Sequence, residues 1–345
     1  MQEIFLDTGT GRSSILVGEG LAFHLQSLPG NPVLLIDENV MRLHYEKFHS
    51  FRMIPIPQGE DYKNLKTAEK IYRELVHLEA DRSSVIVAVG GGLTTDIAGF
   101  VASTYMRGIR FGFLPTTLLA QVDAGIGGKN GVNLDGYKNM IGVIKQPDFI
   151  WCDYTMLETL EDREYRAGIA EIIKYGAIRD RGLLNYMDIH MESLLVKNKP
   201  LLEEIITACI KIKADIVMKD ELESGERRLL NFGHTVGHAI ERNYRLLHGE
   251  AISIGMVIAA ELSSAKGMIP DAEKIYLHQV LEKSGLPVSI GFDAKTIYET
   301  IRKDKKKEGT DIHFIFLRKL GEAVIGEISL DELKSMLYDL PECSE

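Results

Sequence analysis

The chain has 345 residues, 45% hydrophobic and 26% charged, which is an ordinary globular balance and long enough for two domains. A formal net charge of -10 disfavours broad nucleic-acid binding. Three scattered cysteines without CxxC spacing predict a reducing compartment. The first residues lack the pattern of a signal peptide, and the longest apolar stretch, Ala251–Leu262, is too short to span a bilayer. We therefore expect a soluble cytoplasmic protein without nucleic-acid or membrane partners.

The first half of the chain alternates short apolar strands with amphipathic helices. The pattern predicts strands at Val33–Ile36, Val85–Val89 and Phe111–Leu114, and helices at Lys66–Leu78 and Thr94–Tyr105. Strands that are apolar on both faces and alternate with helices are typical of a parallel sheet in an α/β fold. We therefore expect an N-terminal α/β domain with a parallel sheet over residues 1–157.

After about Leu160 the pattern becomes mostly helical. Helices are predicted at Arg163–Tyr175, Leu201–Val217, Thr235–Asn243 and Glu250–Lys266, and short strands at Ile312–Leu317 and Ala323–Ile325. This change in pattern predicts a second, mostly α-helical domain over residues 158–345.

Three consecutive glycines, Gly90, Gly91 and Gly92, lie between a predicted strand and a predicted helix. Residues without side chains let the backbone approach a pyrophosphate, and the helix N-terminus offers free N–H groups and a favourable dipole. Asp37, at the end of an earlier strand, is a candidate ribose ligand. The turn lacks the full GxGxxG pattern, so a simple tight turn remains an alternative for the glycines, as does a turn role for Asp37.

Three histidines, His234, His238 and His248, lie within a short span. His234 and His238 are four residues apart and share one face if the segment is helical. A catalytic zinc site commonly takes three protein ligands, often two histidines and a carboxylate. Glu171 is a candidate carboxylate because its neighbours are apolar, although it could instead pair with Lys174 on a wet helix face. The spacing alone leaves open which histidines bind, and whether they are acid-base or surface groups instead.

The segment from Val122 to Gly142 combines many glycines with chemically capable side chains. Its glycine content argues against a helix or a central strand and predicts a long functional loop, with a flexible connector as the alternative. The lysines and asparagines suit an anionic, hydroxylated ligand. These polar side chains are Asp123, Lys129, Asn130, Lys138 and Asn139.

Several longer motifs coincide with one family. They are GGGLTTDIAGFVASTYMRG, LPTTLLAQVDAGIGGKNGVN, KNMIG, AEIIKYG, DELESGERRLLNFGHTVGHAIE, LHGEAISIGM and KDKK. In this order they resemble the 3-dehydroquinate synthases, from about residue 37 to 320. The resemblance implies a nucleotide-binding α/β domain followed by a helical domain.

The resemblance also implies a reaction, which belongs to the shikimate pathway of aromatic amino-acid biosynthesis. 3-Deoxy-D-arabino-heptulosonate 7-phosphate would become 3-dehydroquinate and phosphate through transient oxidation by NAD, β-elimination of phosphate, reduction, ring opening and aldol cyclisation. The implied cofactors are NAD and a divalent metal, zinc or cobalt, the implied partner is this sugar phosphate, and the implied assembly is a homodimer. Three alternatives are another sugar-phosphate cyclase, a metal-dependent polyol dehydrogenase that releases NADH, and an inactive NAD-binding scaffold.

The resemblance assigns roles to individual residues. The implied metal ligands are Glu171, His234 and His248, whereas His238 matches a residue that contacts substrate. The residues implied to hold NAD are Asp37, Asn39, Glu60, Lys63, Gly90, Gly91, Gly92, Asp96, Thr116, Thr117, Lys129, Lys138, Thr159 and Glu164. The residues implied to contact the substrate and its phosphate are Arg107, Asp123, Lys129, Asn139, Lys174, Lys213, Arg227, Asn231, His238 and Lys305, with Lys306 as the alternative to Lys305.

Overall fold

The structure, a computed structural model, describes residues 1–135, 137–305 and 311–339. Its strands are β1 (Gln2–Thr8), β2 (Gly11–Gly18), β3 (Pro32–Asp37), β4 (Arg52–Ile56), β5 (Val85–Gly90), β6 (Arg110–Pro115), β7 (Lys129–Leu134), β8 (Tyr137–Ile144), β9 (Phe149–Asp153), β10 (Asp311–Lys319) and β11 (Glu322–Ser329).

The α-helices and shorter helical turns complete the described secondary structure. The α-helices are α1 (Glu38–Leu43), α2 (Tyr45–Phe48), α3 (Leu65–His77), α4 (Gly92–Thr104), α5 (Asp162–Ile178), α6 (Arg181–Ile189), α7 (Met191–Leu195), α8 (Lys199–Lys219), α9 (His234–Asn243), α10 (His248–Ala265), α11 (Asp271–Lys283), α12 (Ala294–Lys305) and α13 (Leu330–Tyr338). Five 3₁₀ turns and one π-helical turn are described, at Leu21–Ser27, Glu60–Tyr62, Tyr105–Arg107, Tyr154–Thr159, Glu226–Asn231 and, for the π turn, Ala120–Ala124.

The chain forms two compact units. The first contains residues 1–161 and 197–222, and the second contains residues 162–196 and 223–345. The first unit therefore includes α8, which lies far along the sequence. The assignment of an NAD-binding role to residues 1–157 and of a metal- and substrate-binding role to residues 158–345 remains a prediction.

The first unit is built on a seven-stranded sheet with the order β1-β2-β9-β6-β5-β3-β4. All strands from β2 to β4 in this order pair in parallel, and only β1 is antiparallel to its neighbour. This confirms the predicted α/β class and its parallel sheet, and the three predicted strands are β3, β5 and β6. Since parallel strands end at the same edge, Asp37, Gly90 and Thr116 come to one edge of the sheet.

The prediction of a long loop between Val122 and Gly142 is wrong. This segment contains a π-helical turn followed by β7 and β8, which form an antiparallel hairpin. Gly131 pairs opposite Gly142, and a Cβ on Gly142 would lie 2.4 Å from the carbonyl oxygen of Asn130. The two backbones approach so closely that side chains at these positions would collide. The glycines that argued against strands are therefore what this hairpin requires.

The second unit is organised around α10, which packs against α5, α9 and α11 and against β10. The predicted apolar stretch Ala251–Leu262 lies within α10 and is buried on nearly every side, as expected for a helix that is hydrophobic all round. The helices predicted after Leu160 correspond to α5, α9 and α10 of this unit and to α8 of the first unit, and the predicted strands correspond to β10 and β11. No helix among the described residues has both the length and the apolar character to cross a membrane.

Two glycines allow α10 to approach its neighbours at backbone distance. A Cβ on Gly249 would lie 1.9 Å from the carbonyl oxygen of Ala167 in α5, and one on Gly255 would lie 2.0 Å from the carbonyl oxygen of Gly233. Because these neighbours are backbone atoms, a side chain cannot be accommodated by a rotamer change. The glycines therefore set how closely α10 packs against α5 and against the start of α9.

Gly249→Ala should destabilise the protein because the added methyl group forces α10 away from α5. Overpacking of this kind costs about 1–3 kcal/mol of the free energy of unfolding. Gly291→Ala is the matched control, since a Cβ at Gly291 meets nothing within 4 Å and its φ is not positive. Urea denaturation followed by circular dichroism should show a lower midpoint for Gly249→Ala alone, and equal midpoints would show that the close packing is absent.

Candidate functional site

Four predicted site residues meet in the second unit. Glu171 lies in the middle of α5 and is completely buried, while His234 and His248 are the first residues of α9 and α10. The Nε2 atoms of His234 and His248 lie 3.6 Å and 3.4 Å from Oε1 of Glu171. His238 lies one turn after His234 on the same helix, as its spacing predicted, and the two ring centroids are 5.1 Å apart. The ligand atoms of the three histidines all lie within 4.8 Å of one another.

The separations around Glu171 fit a metal ion. Zinc is held tetrahedrally by nitrogen and oxygen atoms at about 2.0–2.2 Å, which places neighbouring ligand atoms about 3.3–3.6 Å apart. The distances from Glu171 Oε1 to His234 Nε2 and His248 Nε2 fall at this spacing. These three atoms could therefore occupy three corners of one coordination sphere.

The tautomer of His234 supports the same interpretation. Its Nδ1 lies 3.0 Å from the carbonyl oxygen of Phe232, which can only accept a hydrogen bond, so Nδ1 carries the proton. Burial lowers the pKa of His234 to about 3, so the ring is neutral and its Nε2 atom is unprotonated, with a lone pair. That lone pair faces the carboxylate of Glu171. Two electron-rich atoms in this arrangement are stabilised by a cation between them.

His248 has carboxylates near both ring nitrogens. Its Nδ1 lies 3.4 Å from Glu241 Oε2, and its Nε2 faces Glu171. Burial acts to lower the pKa of His248, but the hydrogen bonds to Glu171 and Glu241 outweigh it and raise the pKa to about 9. A proton therefore occupies Nε2 in the metal-free site, and a metal ion would take its place. Glu241 fixes the ring orientation from the opposite side, as carboxylates commonly do behind metal-binding histidines.

Lys174 forms an ion pair with Glu171 one turn along α5. The sequence allowed such a pair on a wet helix face, but the structure buries both side chains, with 1% of Lys174 exposed. A buried carboxylate is costly unless it is paired and hydrogen-bonded, so Lys174 compensates part of the charge of Glu171.

The remaining predicted residues of the second unit lie on α5, α12 and the 3₁₀ turn before α9. Asn231 donates a hydrogen bond from Nδ2 to Glu223 Oε1 over 2.6 Å, and Arg227 is buried in the same turn. Glu164 is exposed in the first turn of α5. Lys305 ends α12, and its side chain and Lys306 lie outside the described residues.

In the first unit, the glycine turn connects β5 to α4. Gly90 ends the strand and Gly91 caps the helix without any side-chain hydrogen bond, so the N-terminus of α4 stays open for an anion. A Cβ on Gly90 would lie 2.5 Å from Thr94 Oγ1, and one on Gly91 would lie 3.0 Å from Thr117 Cγ2. The glycines therefore form the tight turn that the sequence allowed as an alternative. They also leave the first N–H groups of α4 without a side-chain cap.

Several predicted nucleotide-binding residues already have local partners. Asp37 caps α1, since its Oδ1 accepts hydrogen bonds from the backbone N–H groups of Asn39 and Val40 at 2.9 Å and 3.1 Å. This capping contact is the local turn role that the sequence left open for Asp37. Its other carboxylate oxygen, Oδ2, accepts no hydrogen bond from the described residues. Thr117 accepts a hydrogen bond from the N–H of Ala120, and Thr159 bonds to His44. Thr116 donates its N–H to the carbonyl of Gly90.

A compact polar cluster joins the β7–β8 hairpin to the turn at Glu60–Tyr62. The Nζ atom of Lys63 lies 2.5 Å from Asp96 Oδ2 and 2.6 Å from Asn139 Oδ1. Burial raises the pKa of Asp96 above its ordinary value even with Lys63 beside it. Asn133 also belongs to this cluster and was missed by the sequence interpretation, although it lies within the GGKNGVN motif.

The other predicted cations of the first unit are distributed more widely. Lys213 in α8 donates to Asp123 Oδ1 at 2.6 Å and to the Asp123 carbonyl at 2.7 Å. Lys129 and Lys138 are exposed on the strands of the hairpin. Arg107 has a φ of 68° next to Met106 at 50°, a left-handed pair that carries backbone strain of the kind concentrated at functional sites. The guanidinium of Arg107 contacts no polar partner among the described residues.

Comparisons with known proteins identify the family to which this chain belongs. Two family models match, 3-dehydroquinate synthase N-terminal over residues 53–167 and 3-dehydroquinate synthase C-terminal over residues 168–307. The 3-dehydroquinate synthase of Thermodesulfovibrio yellowstonii is 43% identical over 350 residues, covering 98% of this chain and 96% of that protein.

Solved structures of related cyclases have the same fold. A 2-deoxy-scyllo-inosose synthase in complex with carbaglucose-6-phosphate, NAD+ and Co2+ is 26% identical, with a TM-score of 0.88 and coverage of 97% of this chain and 99% of that chain. The 2-epi-5-epi-valiolone synthase of Streptomyces hygroscopicus, with NAD+ and Zn2+ bound, is 26% identical, with a TM-score of 0.87 and coverage of 98% and 97%. With family models matching from residue 53 to residue 307 and a relative aligned over nearly its whole length, this chain belongs to the 3-dehydroquinate synthase family.

Proposed function

We propose that this chain is an enzyme, a lyase that converts 3-deoxy-D-arabino-heptulosonate 7-phosphate into 3-dehydroquinate and phosphate. The observation that carries the proposal is the 43% identity to a 3-dehydroquinate synthase over nearly the whole chain. The cyclases that form 2-deoxy-scyllo-inosose and 2-epi-5-epi-valiolone are 26% identical on the same fold. The difference in identity favours dehydroquinate over those products.

The proposed metal site consists of Glu171, His234 and His248, which would hold zinc or cobalt. The distance from the carboxylate oxygen of Glu171 to each Nε2 atom supports this proposal, because it equals about one edge of a zinc coordination tetrahedron. His238 remains the proposed substrate contact, because its side chain is exposed, whereas His234 is buried and His248 is half-buried. Its ring next to the metal site is well placed to exchange a proton with a bound hydroxyl group.

The proposed NAD site is at the edge of the sheet where β3, β5 and β6 end. The bare N-terminus of α4 after Gly90–Gly92 suits the pyrophosphate, and Oδ2 of Asp37 suits a ribose hydroxyl. The other proposed contacts are Asn39, Glu60, Lys63, Asp96, Thr116, Thr117, Lys129, Lys138, Thr159 and Glu164. The related cyclases bind NAD+ on the same fold, which supports this assignment.

When bound, the divalent cation would acidify substrate hydroxyl groups and NAD would accept a hydride reversibly. The side chains of this chain would hold the substrate in one conformation, and such proximity is worth up to about 7–11 kcal/mol in favourable cases. Cations bind the anionic substrate by charge-assisted hydrogen bonds. The proposed contacts are Arg107, Asp123, Lys129, Asn139, Lys174, Lys213, Arg227, Asn231, His238 and Lys305.

The elimination of phosphate requires little acid–base catalysis from the protein. A transient ketone acidifies the neighbouring carbon, and the substrate phosphate can accept the proton as it leaves, so no strong dedicated base is required. Two ion pairs, the buried one of Lys174 with Glu171 and the partly buried one of Lys213 with Asp123, hold three of the proposed contacts, Lys174, Lys213 and Asp123, in fixed positions. From the resemblance we also propose a homodimer that works in the cytoplasm.

Purified protein should release phosphate and form 3-dehydroquinate from the heptulosonate phosphate in equal amounts. The reaction should need NAD but leave no net NADH, because the hydride returns to the substrate within each turnover. Phosphate release, NADH absorbance and the product spectrum test this, with glucose 6-phosphate as the control substrate. Accumulation of NADH would favour a polyol dehydrogenase, and turnover of glucose 6-phosphate in preference to the heptulosonate phosphate would favour another cyclase.

Removal of His248 should empty the metal site, whereas removal of His238 should not. His248→Ala takes away a nitrogen that faces Glu171 at 3.4 Å, while His238→Ala takes away an exposed ring beside it. Elemental analysis after dialysis against zinc should give about one ion per chain for the wild type and His238→Ala, and below about a tenth for His248→Ala.

A second readout of the same pair of variants does not depend on activity. Added zinc should raise the melting temperature of the wild type and His238→Ala but leave that of His248→Ala unchanged, since an ion that binds only the folded state stabilises it. Equal loss of zinc in the two variants would mean that the three imidazoles, rather than two imidazoles and Glu171, form the site.

A further inference from the structure

Asn133 occupies an irregular position in the β7–β8 hairpin. The pairing register shifts between Val132 and Leu134, so Asn133 alone lies opposite the three β8 residues between Tyr137 and Ile141, one of which is Asn139. The ladder is locally disrupted at this bulge in β8, and such positions are frequent next to active sites. Here the half-buried Asn133 turns toward the segment that carries Glu60 and Lys63.

Each polar group of the Asn133 amide side chain has a different partner. Nδ2 donates to Glu60 Oε1 over 2.8 Å, and Oδ1 accepts the backbone N–H of Asn139 over 2.8 Å. The backbone N–H of Asn133 in turn donates to the carbonyl of Lys63 over 2.7 Å. One residue is thus hydrogen-bonded to two residues proposed to hold NAD and to one proposed to contact substrate.

These contacts fix the orientation of Asn139. Its φ of 53° is a left-handed conformation, which asparagine tolerates but which needs support from its surroundings. Asn133 holds its N–H, and the ammonium group of Lys63 donates to its Oδ1 over 2.6 Å. Because a lysine can only donate, the oxygen of the amide must face Lys63, and the NH2 group of the exposed Asn139 points away as a donor for an anionic oxygen.

We propose that Asn133 is a positioning residue that fixes Asn139 for substrate binding and links it to the nucleotide-side residues Glu60 and Lys63. The claim rests on the proposed function for the role of Asn139. Asparagine is required because this position needs a donor toward Glu60 and an acceptor for Asn139 on one short side chain. Aspartate keeps the acceptor but sets a carboxylate against Glu60, and alanine has neither group.

The first test is kinetic. Asn133→Ala should raise the KM for the heptulosonate phosphate by about 3- to 10-fold, the loss expected for one hydrogen bond, with kcat changed by less than about 2-fold. Leu134→Ala is the matched control, since it is the next hairpin residue and has no hydrogen-bonding side chain. Melting temperatures of both variants separate a loss of folded protein from a loss of substrate affinity. An unchanged KM in Asn133→Ala would overturn the proposal.

The second test is a double-mutant cycle with Glu60→Gln. Asn133→Asp should raise KM in the wild-type background, where two carboxylates face each other, but by less than about 2-fold in the Glu60→Gln background, where the introduced amide can donate to the introduced carboxylate. Such a rescue is not expected from a merely structural residue. Equal effects of Asn133→Asp in both backgrounds would overturn the link to Glu60.

The third test uses hydrogen exchange in the ligand-free protein and so does not depend on turnover. Exchange of the backbone amides around Asn139 should accelerate in Asn133→Ala and stay close to wild type in Leu134→Ala and in the double variant Asn133→Asp with Glu60→Gln, because only the first lacks the acceptor. Unchanged exchange in Asn133→Ala would overturn the positioning role. Wild-type protein that released no phosphate would reject the proposed function, and the exchange result would still decide whether Asn133 positions Asn139.

Discussion

The structure of the second unit depends on how the buried carboxylate of Glu171 is compensated. A charged carboxylate without solvent is expensive unless opposite charge and hydrogen bonds surround it. Lys174 supplies one positive charge from the same helix, and the Nε2 atoms of His234 and His248 converge on the same carboxylate oxygen. Because the neutral His234 presents a lone pair, this arrangement is more stable with a cation at its centre than without one. The charge balance and the coordination geometry therefore point to the same site.

Glycine packing sets the distances on which this site depends. His248 begins α10, and the next residue, Gly249, lies against the backbone of α5, the helix that contains Glu171. Gly255 likewise lies against the backbone of Gly233, which directly precedes His234. Close backbone contact on two sides of α10 leaves little freedom for the three helices to shift, so the ligand atoms keep their spacing. Glycines outside the proposed coordination sphere thereby contribute to the geometry of the proposed metal site.

The sequence predicted the regular elements well because their signals are local. Apolar periodicity predicted β3, β5, α9 and α10, and the apolar neighbours that made Glu171 a candidate ligand are consistent with its complete burial. The β7–β8 hairpin could not be predicted in this way, since glycine is locally unfavourable in strands and its value at Gly131 depends on a partner strand. Asn133 was missed for a similar reason, because its contacts arise from a bulge and from a distant segment. Residue roles in the site came from the family resemblance rather than from spacing alone.

The central claim is that a divalent cation is held by Glu171, His234 and His248. Anomalous diffraction at the cobalt edge from cobalt-loaded crystals tests it most directly. We predict one peak about 2.0–2.2 Å from a carboxylate oxygen of Glu171 and from the Nε2 atoms of His234 and His248, with His238 outside the coordination sphere. A peak centred among the three imidazoles, with Glu171 still paired only to Lys174, would contradict the account.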